Sequence, residues 1–117
     1  MKGAVMQNNS FSEKDWKLFR ARLPEWQEAY MGRLIDGYIE LLQSEGNPSS
    51  RFWELEKRIH HDKKAAGVSV EMSRSRLSTN MLALLDEGAI TLDDLDGFSD
   101  GFRAEIERSA RILGILR

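Results

Sequence analysis

Two adjacent histidines, His60 and His61, are the only ones in this chain and the first candidates for chemistry. Glu56 lies four residues before His60, so on a helix the two side chains share a face and could bind a metal or form a base with its orienting carboxylate. His61 points about 100° away and cannot join them. Di-iron bundles place Glu and His three residues apart, where this chain has Lys57. The simpler interpretation is a solvated or ion-paired histidine, and we predict no catalytic residue and no metal ligand.

A second candidate is a calcium loop of twelve residues beginning at Leu92. Four residues match its positions three, five, six and nine: Asp94, Asp96, Gly97 and Asp100. Positions one and twelve require acids, but they hold Leu92 and Arg103. Because a cation replaces the bidentate carboxylate, a capped acidic turn is the better interpretation, and no cofactor is predicted.

A degenerate helix-turn-helix at residues 51–80 is the third candidate. Residues 66–69 (AGVS) resemble the turn of that motif, and residues 71–80 would form its recognition helix. Two structural positions of the motif, usually small and apolar, hold Lys63 and Ser73 instead. Six residues of this segment have side chains suited to phosphates or base edges: Arg51, Lys63, Lys64, Arg74, Arg76 and Asn80. DNA binding is therefore an alternative function, with nucleic acid as the partner.

The charge along the chain is uneven. Residues 51–76 hold seven cations and four acids, whereas residues 77–101 hold six acids and no Lys or Arg. The whole chain has a net charge of -2, which gives no general attraction to nucleic acid. The basic segment supports the DNA hypothesis, although a solvated helix surface explains it equally simply.

Composition excludes several classes of protein. Without cysteine the chain cannot form disulfides or thiolate sites, which fits a reducing compartment, so we expect a cytoplasmic protein. No apolar run approaches the roughly 20 residues of a membrane span, and no membrane partner is expected. Glycine-rich phosphate loops are absent. Residues 1–9 have no periodic pattern and are predicted to be a loose terminus, whereas residues 10–117 suffice for a single domain.

The first part of the domain predicts two helices separated at Pro24. Ser10 and Glu13 form a capping box for the first, which ends at Leu23. Pro24 suits the first turn of a second helix reaching Ser44. Its apolar residues recur about every four positions: Trp26, Tyr30, Leu34, Tyr38 and Leu41 or Leu42. Two glycines inside it, Gly32 and Gly37, indicate close packing against a neighbour.

The central part, from residue 47 to Gly88, predicts a hairpin of two helices. The first begins near Ser49, and its apolar stripe of Phe52, Leu55 and Ile59 predicts a buried face. Gly67 would end it in a left-handed conformation. Ser69 would cap the second helix, whose apolar residues are Met72, Leu77, Met81, Leu84 and Leu85.

The last part predicts a short connector and a final helix. Thr91 with Asp94 indicates a cap before a single helical turn, and Ser99 caps the last helix. Its apolar side is Phe102, Ile106, Ala110 and Leu113. Three further residues widen that face and form a candidate interaction surface: Ile112, Ile115 and Leu116. The aromatic residues Trp16 and Trp53 are the alternative candidate for an exposed apolar patch. A wider apolar face indicates burial on more than one side, so we expect self-association or an unidentified protein partner.

Together these patterns predict an all-α, single-domain bundle of four or five short helices. Eight residues form the predicted core: Trp26, Tyr30, Phe52, Leu55, Ile59, Leu84, Phe102 and Ile106. The leading functional prediction is a small protein-interaction module without catalysis, and DNA binding is the alternative.

Three segments carry a resemblance to a known family. Residues 52–59 (FWELEKRI), 72–75 (MSRS) and 90–99 (ITLDDLDGFS) resemble short bacterial proteins, of about 110 residues, whose role is uncharacterised. Some members carry the label "multidrug transporter", which the lack of an apolar span here contradicts. The resemblance implies a bacterial origin and a similar fold, and it assigns no role to any residue.

Overall fold

The computed structural model describes residues 11–116, which form four α-helices. These are α1 (Glu13–Gln43), α2 (Pro48–Asp62), α3 (Leu77–Asp86) and α4 (Asp100–Ile112), with 3₁₀ turns at Arg74–Arg76 and Leu92–Leu95. The all-α prediction is confirmed, and the described residues contain no strand. The loose terminus predicted for residues 1–9 lies outside them. The radius of gyration is 17.4 Å, against about 13 Å for a compact domain of this size. The molecule is therefore elongated.

Helix α1 begins at a capping box, two residues later than the sequence predicts. Ser12 Oγ accepts the Asp15 N–H at 3.1 Å, and an Asp15 carboxylate oxygen accepts the Ser12 N–H at 2.9 Å. The predicted partner Glu13 is instead the first residue of the helix, and its carboxylate accepts a hydrogen bond from Arg74. The predicted cap, Ser10, lies outside the described residues.

Helix α1 also continues through Pro24, so the prediction of two separate helices is wrong. It is 31 residues long, and Pro24 lies inside it. Proline removes one backbone hydrogen bond and favours a break. Here Phe19 and Leu23 before the proline, and Trp26 and Tyr30 after it, all contact the same core. The helix persists because packing on both sides of Pro24 holds it.

One end of the molecule, the head, contains residues 11–30 and 65–116 and all of the core. Of the eight predicted core residues, Leu84, Phe102 and Ile106 are buried there, and Trp26 and Tyr30 pack partly buried against them. Phe11, two residues before α1, contacts Phe102 of α4 edge-to-face with 6.2 Å between ring centroids. The buried hydrophobic residues are Trp16, Phe19, Leu23, Ala66, Leu77, Met81, Leu84, Leu85, Ala89, Ile90, Leu95, Phe98, Phe102, Ile106 and Ala110.

The other end, the arm, contains residues 31–64: the second half of α1, a tight turn and α2. No residue of the arm is buried. The predicted core positions Phe52 and Ile59 are exposed and Leu55 is half-buried, so their placement in the core is wrong. The reason is that α1 is the helix against which α2 packs, and the head buries none of the other sides of α2. The predicted close packing at Gly32 and Gly37 is also absent, since space is open around both.

The predicted role of Gly67 is wrong as well. Helix α2 ends at Asp62, and Gly67 does not have the left-handed conformation of a helix end. A side chain at this position would overlap the ring of Tyr30. The Gly67 N–H donates to the Glu87 carboxylate at 3.0 Å, as the Ala66 N–H does at 2.8 Å. Glycine is needed here because the backbone passes directly beneath Tyr30.

After Gly67 the chain is not helical until residue 74, so the predicted central hairpin does not form. Helix α3 begins at Leu77, and Ser69 caps nothing. The β-branched Val68 and Val70 favour extended backbone over helix. Asn80, which is buried, donates from its side-chain amide to the Glu71 carbonyl oxygen at 3.0 Å and holds this segment against α3.

The connector and last helix form largely as predicted. Asp94 accepts the Thr91 N–H at 2.8 Å, at the start of the predicted single turn. Helix α4 follows Ser99 as predicted and buries Phe102, Ile106 and Ala110, but the Ser99 side chain makes no cap hydrogen bond to the helix. The predicted fourth residue of that face, Leu113, is exposed.

A buried carboxylate joins the first and last helices. Asp15 is only 2% exposed, and it accepts the Ser99 N–H at 2.7 Å and the Ser99 hydroxyl at 2.6 Å besides the Ser12 N–H. Burial alone would raise the pKa of Asp15, but the hydrogen bonds from Ser99 and Ser12 outweigh it and lower the pKa. The ionised carboxylate therefore fixes the start of α4 against the start of α1.

Replacing Asp15 should destabilise the head. In Asp15→Ala the N–H groups of Ser12 and Ser99 lose their acceptor, which should cost about 1–3 kcal/mol of unfolding free energy at pH 7. Because the folded pKa is lowered, the contribution is present above the ordinary value of 3.8 and is lost as the pH falls through the lower folded value. Urea unfolding across pH 2–7 measures this. Asp36→Ala, at an exposed α1 position, is the control; an equal loss there would refute the assignment.

Two glycines should respond oppositely to alanine. Gly67→Ala places a methyl group against the Tyr30 ring and should lower stability by about 1–3 kcal/mol. Gly32→Ala, inside α1 with open space around it, should raise stability by up to about 1 kcal/mol. Thermal unfolding at one protein concentration compares the two. Equal effects of the same sign would contradict the close approach at Gly67.

Candidate functional site

The candidate site is one apolar side of the arm. In α1, Met31, Ile35, Tyr38 and Leu42 recur at steps of four, three and four, and lie within about 60° of one another around the helix. This is the spacing of a helix-pairing seam. In α2, the predicted stripe lies within a similar sector. We call the combined surface the arm face: Met31, Ile35, Tyr38, Leu42, Phe52, Leu55 and Ile59.

Two grooves show that the α1 and α2 stripes lie on the same side of the hairpin. The base groove, near the head, has a volume of about 240 Å³, and Ile35, Tyr38 and Ile59 are among its lining residues. The tip groove, near the turn between the helices, has about 250 Å³ and is lined by Leu42, Phe52 and Leu55 among others. The arm face therefore runs along the arm from base to tip.

Polar contacts hold the two helices of the arm together. At the base, the Tyr38 hydroxyl donates to the Asp62 carboxylate at 2.6 Å. At the tip, Arg51 donates to the carbonyl oxygens of Leu42 and Ser44 at 2.8 and 3.0 Å, which satisfies acceptors at the end of α1. Asn47 caps α2 by accepting the N–H of the third residue after it at 2.9 Å. The hairpin geometry is thus fixed at both ends.

Burial and the hydrogen bond to Asp62 raise the pKa of Tyr38 to about 12. The neutral phenol is needed as the donor, because a phenolate could not bond to the carboxylate. Tyr38 and Asp62 satisfy each other, so this pair is a structural link and leaves no free base on the arm face.

The predicted nucleic-acid-binding residues do not form one surface. Arg51 is at the tip, whereas Lys63 and Lys64 follow the end of α2, about 18 Å away by the helical rise. Arg74 pairs with Glu13 at 2.7 Å and lies over the ring of Trp16. Within the described residues, the two lysines and the exposed Arg76 form no ion pair.

The predicted recognition helix over residues 71–80 is not present. Only its last four residues belong to α3, and Asn80 is buried with its amide bonded to the backbone. A helix-turn-helix needs an exposed recognition helix whose first residues reach base edges. The turn at Gly67 joins no such helix here.

The predicted surface at the end of the chain is only partly exposed. Ile112 is 78% exposed, and its neighbour Leu113 is also exposed. Ile115 and Leu116 pack against the core, and their N–H groups donate to the Ala110 carbonyl oxygen at 2.8 and 3.2 Å. Of the three predicted residues, the structure therefore leaves one largely open to solvent.

The residues considered for metal chemistry are dispersed. Glu56, His60 and His61 are exposed on α2. Asp94 caps the turn at Thr91, and its carbonyl oxygen accepts a hydrogen bond from Arg22. Among residues 11–116, no three His, Asp or Glu side chains are grouped so that they could hold a metal ion.

The α1 half of the arm face is the part that sequence reasoning missed. Ile35 and Leu42 are exposed, and the four-three-four spacing from Met31 to Leu42 is readable in the sequence. It was obscured by a second pattern, in which Tyr30, Leu34, Tyr38 and Leu41 repeat at about four residues. Both patterns are present because α1 has three different sides. One side contacts the head, a second contacts α2, and a third is open.

Comparison with known proteins adds no assignment. No family model, curated protein or solved structure matches the chain. Within the described residues, none of the helices has the length and apolar character needed to cross a bilayer. The functional argument therefore rests on the geometry of the arm.

Removing the Tyr38 hydroxyl should loosen the arm. Tyr38→Phe should lose about 1 kcal/mol of unfolding free energy at pH 7. Because the folded pKa is raised from 10.0 to about 12, this contribution is complete below pH 10 and is lost as the pH rises through 12. Urea unfolding of wild type and variant across pH 7–12 measures the difference. Tyr30→Phe should change stability little at pH 7, since the Tyr30 hydroxyl donates no hydrogen bond within the described residues; a pH-independent difference for Tyr38→Phe would contradict the link.

Proposed function

We propose that this chain is a protein-interaction module whose working surface is the arm face. The observation that carries the proposal is that no residue between Pro24 and Ala65 is buried, although both helices of the arm carry apolar stripes. Helices in proteins derive most of their stability from packing an amphipathic face. A face that is apolar, regularly spaced and uncovered therefore supports a role in binding another protein surface.

The size of the exposed apolar surface supports the same proposal. Six large apolar side chains of the arm are 39–63% exposed: Ile35, Ile39, Leu42, Phe52, Trp53 and Ile59. Four of them belong to the arm face: Ile35, Leu42, Phe52 and Ile59. With ordinary side-chain areas of about 150–250 Å², these four expose on the order of 400 Å². The largest apolar patch of a typical monomer is about 300–600 Å², and such patches are often functional.

Catalysis and DNA binding receive less support from the geometry. The base groove is lined almost wholly by apolar atoms, and its acid, Asp62, is bonded to Tyr38. For DNA, residues 71–80 form no recognition helix, and Arg74 is paired with Glu13. The exposed Lys63 and Lys64 lie beside the arm face and suit the polar rim of a protein interface.

A photo-crosslinking experiment tests the proposal. A benzophenone amino acid replaces Phe52, which is 61% exposed, and the protein is irradiated in an extract of the cells from which it comes. We expect adducts of discrete mass that disappear when Ile59→Glu is introduced. The adducts are identified by mass spectrometry, which distinguishes a second copy of this chain from any other protein.

The matched control places the same amino acid at Ile112, an exposed apolar position on the head. If position 52 gives no more adduct than position 112, the arm face is not the working surface. Circular dichroism of Ile59→Glu must show the wild-type helix content. A variant that unfolds is replaced by Phe52→Glu with the photoreactive residue at Leu42.

A further inference from the structure

The partner of the arm can be inferred from what the arm lacks. Two antiparallel helices touch along one line and leave their outer sides uncovered, whereas four helices enclose a core. A second hairpin of the same kind supplies the two missing helices. In a two-fold symmetric pair each copy uses the same surface, so the arm face must be complementary to itself.

The two ends of the arm face fit one another when two arms lie antiparallel. The Phe52 ring at the tip is 61% exposed and lines the tip groove. The base groove, among Ile35, Tyr38 and Ile59, has a similar volume and is lined almost wholly by apolar atoms. An antiparallel pairing places the Phe52 ring of each copy over the apolar base groove of the other. A parallel pairing would instead place the two Phe52 rings against each other.

The distribution of charge along the arm also favours an antiparallel pairing. The tip, residues 39–55, has three acids and one cation, whereas the base, residues 31–38 and 56–64, has five cations and three acids. Some of these charges do not face a partner, because Glu54 pairs with Arg58 at 3.1 Å and Glu40 lies on the side of α1 opposite the arm face. Glu45 in the turn at the tip and Lys63 at the base groove remain. Antiparallel arms place Glu45 of each copy near Lys63 of the other, whereas parallel arms place like charges near each other.

The apolar area of the arm face is about half of what a standard interface buries, which is about 800 Å² on each partner. Its exposed side chains, Ile35, Leu42, Phe52 and Ile59, supply on the order of 400 Å². Half-buried Met31, Tyr38 and Leu55 add to it. The polar rim supplies the remainder, which fits a dimer that dissociates on dilution.

We propose that two copies of this chain associate through their arm faces as an antiparallel four-helix bundle, with each tip seated on the base of the partner copy. This inference rests on the proposed function and names the partner. In this dimer the two heads lie at opposite ends of the bundle.

Sedimentation equilibrium of the purified protein tests the association. We expect a species of twice the chain mass of 13.4 kDa that dissociates on dilution. Phe52→Glu should be a monomer with wild-type helix content, and Ile112→Glu, the matched control on the head, should remain a dimer. A wild-type monomer at every concentration would overturn the inference, as would a dimer lost only in Ile112→Glu.

A charge-exchange experiment tests the tip-to-base pairing. Glu45→Lys makes the tip basic, and Lys63→Glu makes the edge of the base groove acidic. Each variant alone should dimerise about tenfold more weakly than wild type. An equimolar mixture of the two should recover the affinity, because each opposing pair again has opposite charge. Equal weakening of the mixture would overturn the antiparallel arrangement.

Crosslinking tests the orientation directly, because the chain has no cysteine of its own. Gln43→Cys marks the tip and Lys63→Cys marks the base. Packed helices lie about 8–10 Å apart, so a short bismaleimide should join tip to base in a mixture of the two variants. Tip-to-tip adducts of Gln43→Cys alone would overturn the inference. If the protein is monomeric but position 52 still crosslinks to another protein, the proposed function stands and only the choice of partner fails.

Discussion

Helix α1 continues from Glu13 to Gln43 with Pro24 inside it, and the shape of the molecule depends on that continuity. A proline inside a helix costs about 3 kcal/mol. Burying one large apolar side chain contributes about 1.5–3 kcal/mol, and Phe19, Leu23, Trp26 and Tyr30 all contact the head core around the proline. Packing therefore outweighs the local preference to bend. Helix α1 is longer than the head. At the ordinary helical rise, the last thirteen residues of α1 project about 20 Å from the head.

The rest of the fold follows from a helix that is longer than its core. After α1 ends, the chain must return to the head, and α2 can do so only alongside the projecting half of α1. The return ends at Ala66 and Gly67, whose N–H groups donate to the Glu87 carboxylate, and Gln27 donates to the Ala66 carbonyl oxygen at 3.1 Å. The head is thus closed by two carboxylates: Asp15 joins α1 to α4, and Glu87 holds the base of the arm. The arm lies beyond these two carboxylate links.

The sequence predicted an element correctly where residues within that element determine its structure. The buried face of α4, Phe102, Ile106 and Ala110, was predictable because helical spacing acts within a few residues. Ser99 was also correctly placed at the start of α4, but its hydroxyl bonds to Asp15 of α1 and not to the first turn of α4. The roles of Pro24 and Gly67 were not predictable. Both depend on tertiary contacts of Tyr30, which packs against the head core beyond Pro24 and lies against Gly67. These contacts join residues far apart in sequence, which no local rule reaches. Residues 71–76 also do not form the predicted α-helix. The Asn80 amide donates to the Glu71 carbonyl oxygen and holds this segment against α3.

The misplaced core residues of α2 have a different explanation. Phe52, Leu55 and Ile59 have the spacing of a buried helix face, and this pattern indicates that the face is covered without indicating by which chain. The sequence-based prediction assumed the cover to be intramolecular, and the structure shows that the head does not reach it. Under the proposed association the same three residues lie between two copies, in the four-helix core that the pattern requires. The discrepancy between pattern and monomer is then itself an argument for a partner, because an amphipathic helix of fifteen residues gains little stability from its backbone alone.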